Sequence, residues 1–159
     1  MVAHRKGMSV SVIHRKARVI VNLADQLIRD EGCKSYAYQD SRGLWTVGIG
    51  TCIDQRAGCG LTNDEILLLF KNRLALAKAA LGTAFPWTAA LDDARLGAME
   101  NLTFNMGVRK LAEFHNFIAA MKQGDWATAK AELLDSLANH QEPARIGRLA
   151  IQIETGVWQ

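Results

Sequence analysis

No run of about 20 consecutive apolar residues occurs in this chain of 159, which excludes a helix that spans a membrane. The basic opening could announce an export signal, but the apolar stretch behind it, Ala17 to Ile28, is interrupted by Arg18, Asn22, Asp25 and Gln26, so none is expected. Cysteine is sparse and odd in number: Cys33, Cys52 and Cys59, with no Cys/His spacing that suits a metal. Free thiols in a reducing cytosol are the default, and the spacing allows a Cys52–Cys59 bridge without requiring it. Internal repeats and low-complexity tracts are missing. Gly48-Ile49-Gly50 lacks the length and the following Lys-Ser/Thr of a phosphate-binding loop. Neither a cofactor, a metal nor a nucleic-acid partner is expected.

Acid is missing from the first 18 residues, which hold Arg5, Lys6, Arg15, Lys16 and Arg18. Residues 19–159 carry 14 basic against 16 acidic side chains, so the whole excess behind the net charge of +3 sits in the leader. Residues 1–15 are expected to be a disordered basic leader, with His-Arg-Lys twice and an internal Met8. An inert tail and a cationic segment drawn to anionic envelope surfaces both suit that composition. Residues 16–159 read as one domain, and 49% hydrophobic content is ample for its core.

The informative stretch is Glu31 to Thr51, EGCKSYAYQDSRGLWTVGIGT. A helix is expected up to Glu31, from the apolar stripe Val19, Ile20, Leu23, Ala24, Leu27 and Ile28, with Gly32 just past its end. Asp30 and Glu31 then face the negative end of the helix dipole, which opposes ionisation and suits a group that must hold a proton. Beyond Gly32 the period becomes two. Tyr36 and Tyr38, the turn Asp40-Ser41-Arg42-Gly43, and Leu44 to Thr51 make a β-hairpin. On its second strand Trp45, Val47 and Ile49 are expected to face the core, while Thr46, Gly48 and Gly50 leave the other face stripped. Two glycines beside a hydroxyl suggest that something approaches the backbone closely there. Asp40 has an ordinary explanation too, since Asp at the first position of a turn caps its own backbone.

Downstream, Thr62 to Glu65 forms a capping box at the head of a long helix running to about Leu81, with Gly82 as its stop. Ile66 to Phe70 is apolar almost all round, as in a helix that is buried or shared between two bodies. Further helices are expected over Leu91–Met106, closed by Gly107, over Val108–Lys122 in one or two pieces, and from an Asp125 cap to about Leu134. A last one opens at Pro143 and ends at Gly156. Trp126 and Trp158 are expected to serve packing.

Taken together, Glu31-x8-Asp40-x5-Thr46 with the WTVGIG strand, LTNDE at Leu61–Glu65, LDDARLGAMENLTFNMG at Leu91–Gly107, PARIGR and TGVW resemble the phage-type lysozymes, a family of muramidases. The resemblance covers roughly residues 20–159. It implies an α+β, mostly helical fold: a small β-hairpin lobe over about 32–61, a linking helix over about 62–82, and a helical lobe over about 88–159. The 16–31 helix would pack near a substrate cleft between the lobes. It further implies a monomeric endolysin that is made in the host bacterial cytoplasm and released through a separate holin. Such an enzyme cleaves the β-1,4 bond between N-acetylmuramic acid and N-acetylglucosamine in peptidoglycan glycan strands.

In that scheme Glu31 protonates the leaving oxygen, Asp40 acts from the opposite side of the sugar, and Thr46 places the attacking water. Gly50, Cys52, Phe104 and Asn105 would touch substrate, and Arg145 would reach back to Glu31. Relatives invert configuration, which needs carboxyls about 6.5–9.5 Å apart rather than about 5–5.5 Å. One departure is Thr51, where many relatives carry a His that pairs with an acid on the long helix. A lytic transglycosylase would need only one catalytic Glu, and a non-catalytic wall-binding protein would be expected to have lost one of the three site residues. Neither loss is seen here.

Overall fold

The computed structural model describes residues 23–159. The expectations for residues 1–15 and for the start of the first helix lie outside the described residues. Two compact units are formed, one ending at Asn63 and the other running from Asp64 to Gln159.

In the first unit, α1 (Leu23–Glu31) is followed by Gly32, whose φ of +73° stops the helix as expected. Asp25 is the buried residue of this helix, whereas Leu23 and Leu27 stay exposed. A three-stranded antiparallel sheet follows in the order β1 (Lys34–Gln39), β2 (Trp45–Gly48), β3 (Thr51–Cys52). The expected single hairpin is thus a meander. Gly48 and Gly50, at φ +67° and +66°, end the second strand three residues early and turn the chain into a short third one. Tyr38 pairs with Thr46, and Thr46 pairs in turn with Cys52, so Thr46 stands on the middle strand.

The expected faces of β2 are reversed. Thr46 is buried, at 4% exposure, while Trp45 is 46% exposed and Ile49 is exposed as well. Alternation distinguishes two faces of a strand but not which one becomes covered.

The second unit opens with α2 (Asn63–Ala84), which starts immediately after Thr62. It runs through Gly82 to Ala84 and is ended by the 3-10 turn Pro86–Ala90, so Pro86 and not Gly82 is the stop. Its end reaches the core at Leu81, whereas Ile66 to Phe70 remain about half exposed, so of the two expectations for this stretch burial is not met. Asp92 caps α3 (Asp93–Met106) by accepting from the Arg95 amide, and Gly107 closes it. The stretch after Gly107 forms two helices, α4 (Val108–Ala112) and α5 (His115–Gln123). Asp125 caps α6 (Trp126–Leu134) as expected; α7 (Leu137–Gln141), capped by Ser136, is an addition. Pro143 opens α8 (Pro143–Thr155), and Gly156 ends it at φ +67°.

The core of this unit is made by Leu81, Met99, Leu102, Leu111, Phe117, Met121, Leu133, Ile146 and Ile153, all at 1% exposure or less. Each contributes about 1.5–3 kcal/mol by leaving water. Arg95 ties α3 to the end of α8, donating to the Ile153 and Glu154 carbonyls while its guanidinium lies over the Trp126 ring. Trp126 therefore packs as expected. Trp158 does so only in part, resting on Gly97 with 63% of its surface exposed.

Candidate active site

Glu31 is the last residue of α1, and its position follows from where that helix stops. Its carboxyl leans onto the turn between β2 and β3: Oε2 lies 2.7 Å from the point where a β-carbon on Gly50 would stand. The close approach expected at the stripped glycine strand is made by Glu31 itself. Of the neighbouring acid, the expectation from the helix dipole is reversed. Asp30 accepts from Arg29 Nε at 2.7 Å, and this hydrogen bond holds its carboxyl below the ordinary value.

Asp40 opens the β1–β2 turn. The Asp40 amide donates to the Leu44 carbonyl at 2.9 Å and the Gly43 amide to the Asp40 carbonyl at 3.0 Å, with Gly43 at φ +72°. This is the three-residue hairpin loop in which a turn ends in a left-handed residue, and it explains why Gly stands at 43. The Asp40 carboxylate completes the loop. Its Oδ1 accepts from the Arg42 and Leu44 amides at 2.8 and 2.9 Å, and its Oδ2 from Arg42 Nε and Nη2 at 3.2 and 3.1 Å. The Leu44 amide first, then the Arg42 amide and guanidinium, lower the Asp40 pKa, so it is a carboxylate at neutral pH. With about four lone-pair sites, each now facing a donor, it is a weak base unless the exposed Arg42 side chain moves away.

Thr46 is joined to Asp40 through Leu44. Its Oγ1 donates to the Leu44 carbonyl at 3.2 Å, which leaves the hydroxyl oxygen free to accept. Thr51 is exposed on β3 opposite Val47. Cys52 is half-buried opposite Thr46.

A residue that sequence reasoning missed holds this unit together. Asp54 is 4% exposed and accepts from the Trp45 amide at 3.0 Å, from the Arg56 amide at 2.9 Å and from the Arg56 guanidinium at 2.6 Å. Arg56 in turn donates to the Gly43 carbonyl at 2.9 Å, clamping the loop Ile53–Gly60 onto the hairpin turn. The Arg56 side chain first, then the Trp45 amide, push the Asp54 carboxyl well below the usual range. An Asp two residues before an Arg could have suggested a local cap; its reach to Trp45, nine positions back, had no sequence signal.

Phe104, Asn105 and Arg145 belong to the second unit. Phe104 is 41% exposed at the surface and meets Phe70 at 5.8 Å between ring centroids. Asn105 and Arg145 are brought together by Glu142, which accepts from Asn105 Nδ2 at 3.1 Å and from Arg145 Nη1 at 3.0 Å. Arg145 Nε also donates to Asn101 Oδ1 at 3.1 Å. The Arg145 side chain first, then Asn105, lower the Glu142 pKa. Beside this network runs a groove of about 440 Å³ whose lining includes Phe70, Leu74, Asn101, Phe104, Arg145 and Trp158. Aromatic faces next to amide and guanidinium donors suit a ligand with apolar faces and hydroxyl edges, such as a sugar. Among the described residues no cluster of His, Cys, Asp and Glu is arranged to hold a metal ion.

Comparison with known proteins gives a consistent answer. Residues 29–143 match the family described as phage lysozyme. The chain is 29% identical to the probable T4-type lysozyme 1 of Dictyostelium discoideum, over 87% of this chain and 96% of that protein. It is 30% identical to the pre-baseplate central spike protein Gp5 of Enterobacteria phage T4, over 86% of this chain but 28% of that longer protein. Identity to the SAR-endolysin of Escherichia phage P1 is 25%, over 72% of this chain and 67% of the relative.

Proposed function

The chain belongs to the phage lysozyme family and is by that membership a peptidoglycan-degrading lysozyme; from this premise we propose that it hydrolyses the β-1,4 bond between N-acetylmuramic acid and N-acetylglucosamine. The outcome in the cell is lysis of the bacterial host. The observation that carries the reading is the pairing of two unlike carboxyl groups in one small unit. One, Glu31, rests on a glycine turn; the other, Asp40, is fixed as a carboxylate by its own hairpin.

Glu31 delivers a proton to the leaving glycosidic oxygen as the bond breaks. Positive charge then develops on the sugar ring, and Asp40, ionised and held rigidly, stabilises it. The hydrogen bonds around Asp40 make it a better counter-charge than a base. Thr46, its proton committed to the Leu44 carbonyl, accepts from the attacking water and orients it. Attack by water on the face opposite the leaving group inverts the configuration; the surplus proton of that water passes to bulk solvent, from which Glu31 recovers its own before the next turnover. Phe104 and Asn105 offer an apolar face and an amide edge to sugar, and Gly50 and Cys52 line the strand side.

No helix among the described residues is long and apolar enough to cross a membrane. We place synthesis in the host cytoplasm, action on the wall in the periplasm as a monomer, and release through a separate holin. Product analysis tests the chemistry directly. Digestion of purified peptidoglycan should yield new reducing N-acetylmuramic acid ends of inverted configuration. Anhydro-sugar products would instead identify a lytic transglycosylase.

A further inference from the structure

The ion pair of Asp54 and Arg56 grips the residue through which Asp40 and Thr46 are joined. Leu44 stands between two peptide groups, each planar and trans, so that the C=O and N–H of each point in opposite directions. In the first, between residues 43 and 44, the Gly43 carbonyl accepts from Arg56 Nη2 at 2.9 Å while the Leu44 amide donates to Asp40 Oδ1 at 2.9 Å. In the second, between residues 44 and 45, the Trp45 amide donates to Asp54 Oδ2 at 3.0 Å while the Leu44 carbonyl accepts from Thr46 Oγ1 at 3.2 Å. Each peptide is thus held at its back by one member of the ion pair and presents its front to one reacting side chain. The pair itself is closed twice, by Arg56 Nε to Asp54 Oδ1 at 3.0 Å and by Arg56 Nη2 to Asp54 Oδ2 at 2.6 Å. The 3-10 turn after Asp54 sets its geometry, with the Arg56 amide donating to Asp54 Oδ1 at 2.9 Å.

We propose that Asp54 and Arg56 are positioning residues for the reaction: through the two peptide groups of Leu44 they fix the direction of the Asp40 carboxylate and of the Thr46 hydroxyl. This rests on the roles given to Asp40 and Thr46 above. The charges have the sense that strengthens both contacts. A cation at the Gly43 carbonyl draws electron density through the peptide and makes the Leu44 N–H a stronger donor to Asp40. An anion at the Trp45 amide makes the Leu44 carbonyl a stronger acceptor of the Thr46 proton, which leaves the Thr46 oxygen to receive water. A guanidinium suits position 56 because its planar fork bonds a carboxylate and a carbonyl at once. An ammonium there would be a point charge, able to pair with Asp54 but without the fixed fork. Arg42, the other cation of this turn, differs in kind, since it bonds the Asp40 carboxylate itself.

Arg56→Lys in the full chain is the test, because it keeps the charge beside Asp54 and removes the fork. With soluble glycan strands as substrate and release of reducing ends as the assay, kcat should fall about tenfold and KM stay within about twofold, short of the about 100-fold cost of an ångström-scale misplacement. Melting should stay near that of wild type. Arg56→Ala leaves the buried Asp54 carboxylate without its counter-charge, so it should melt lower and turn over no faster than Arg56→Lys. A second readout is independent of turnover. By NMR, the Leu44 amide of Arg56→Lys should exchange its hydrogen about tenfold faster than in wild type, while the amides of α8 exchange as before. Wild-type kcat in Arg56→Lys, a raised KM at constant kcat, turnover that only follows melting across the variants, or unchanged exchange at Leu44 would each overturn the proposal. A wild type that releases no reducing ends would overturn the reading of the site and the proposal with it, whereas an active wild type with unaltered Arg56 variants overturns the proposal alone.

Discussion

The carboxyl of Glu31 occupies the space that any side chain at residue 50 would need, with Oε2 2.7 Å from a β-carbon built on Gly50. The helix end and the glycine turn therefore specify each other. Gly50→Ala adds a second penalty, because φ at this position is +66° and a left-handed residue with a β-carbon costs about 1–2 kcal/mol. Activity should fall by about 100-fold, the cost of an ångström-scale misplacement of a reacting group. Circular dichroism should show an unchanged helix content. Wild-type turnover by Gly50→Ala would mean that the position of Glu31 against the turn is irrelevant.

Arg42→Gln should separate the two readings of Asp40, turn cap and reacting carboxylate. The backbone bonds from Leu44 and residue 42 survive, while the guanidinium that fills Oδ2 is lost. Since that guanidinium helps to lower the Asp40 pKa, its removal raises the pKa. The acidic limb of the pH–rate profile should then move to higher pH, as the carboxylate form disappears earlier on acidification. A limb that does not move would show that Asp40 serves the turn alone.

Asp54→Ala should destabilise the small unit. The variant removes the acceptor of the Trp45 amide and the partner of Arg56, and melting should occur several degrees lower. The folded-state pKa of Asp54 is depressed, so its contribution is fully present above the unfolded-state value of about 3.9 and is lost as pH falls through the folded one. The difference in melting temperature between wild type and variant should thus be constant near neutrality and shrink below about pH 4. A difference that persists undiminished at low pH would assign the effect to packing instead.

Phe104→Ala probes the groove of the helical unit. The ring is 41% exposed, so stability should change little. If it stacks on sugar, KM for soluble glycan strands should rise about tenfold, equivalent to about 1.4 kcal/mol, with kcat nearly unchanged. Unaltered KM would remove Phe104 from the substrate-binding residues.

The helix boundaries were largely legible because they rest on local chemistry. Gly32, Gly107, Asp125, Pro143 and Gly156 act within a residue or two of where they stand. Gly82 misled because an interior glycine only weakens a helix by about 1 kcal/mol, and it takes Pro86 to end it. Within the candidate site, the Asp40 turn was readable from Asp and Gly alone. The buried face of β2 was not, since Thr46 is covered and Trp45 exposed by what packs around the strand rather than by its own alternation. Asp54 and Glu142 were invisible for a similar reason: their partners Trp45, and Asn105 at 37 positions' distance, are fixed only by the folded chain.

The most direct measurement compares wild type with Glu31→Gln in the clearing of chloroform-treated Gram-negative cells. The amide matches the acid in size but cannot deliver a proton, and loss of a general acid lowers rates by about 10²–10⁴-fold. Glu31 is the exposed final residue of α1, so the melting temperature should stay near that of wild type. The account predicts no measurable lysis by a folded Glu31→Gln protein. Lysis by that protein at more than about a tenth of the wild-type rate would contradict it, since general-acid catalysis by Glu31 could not then account for the activity.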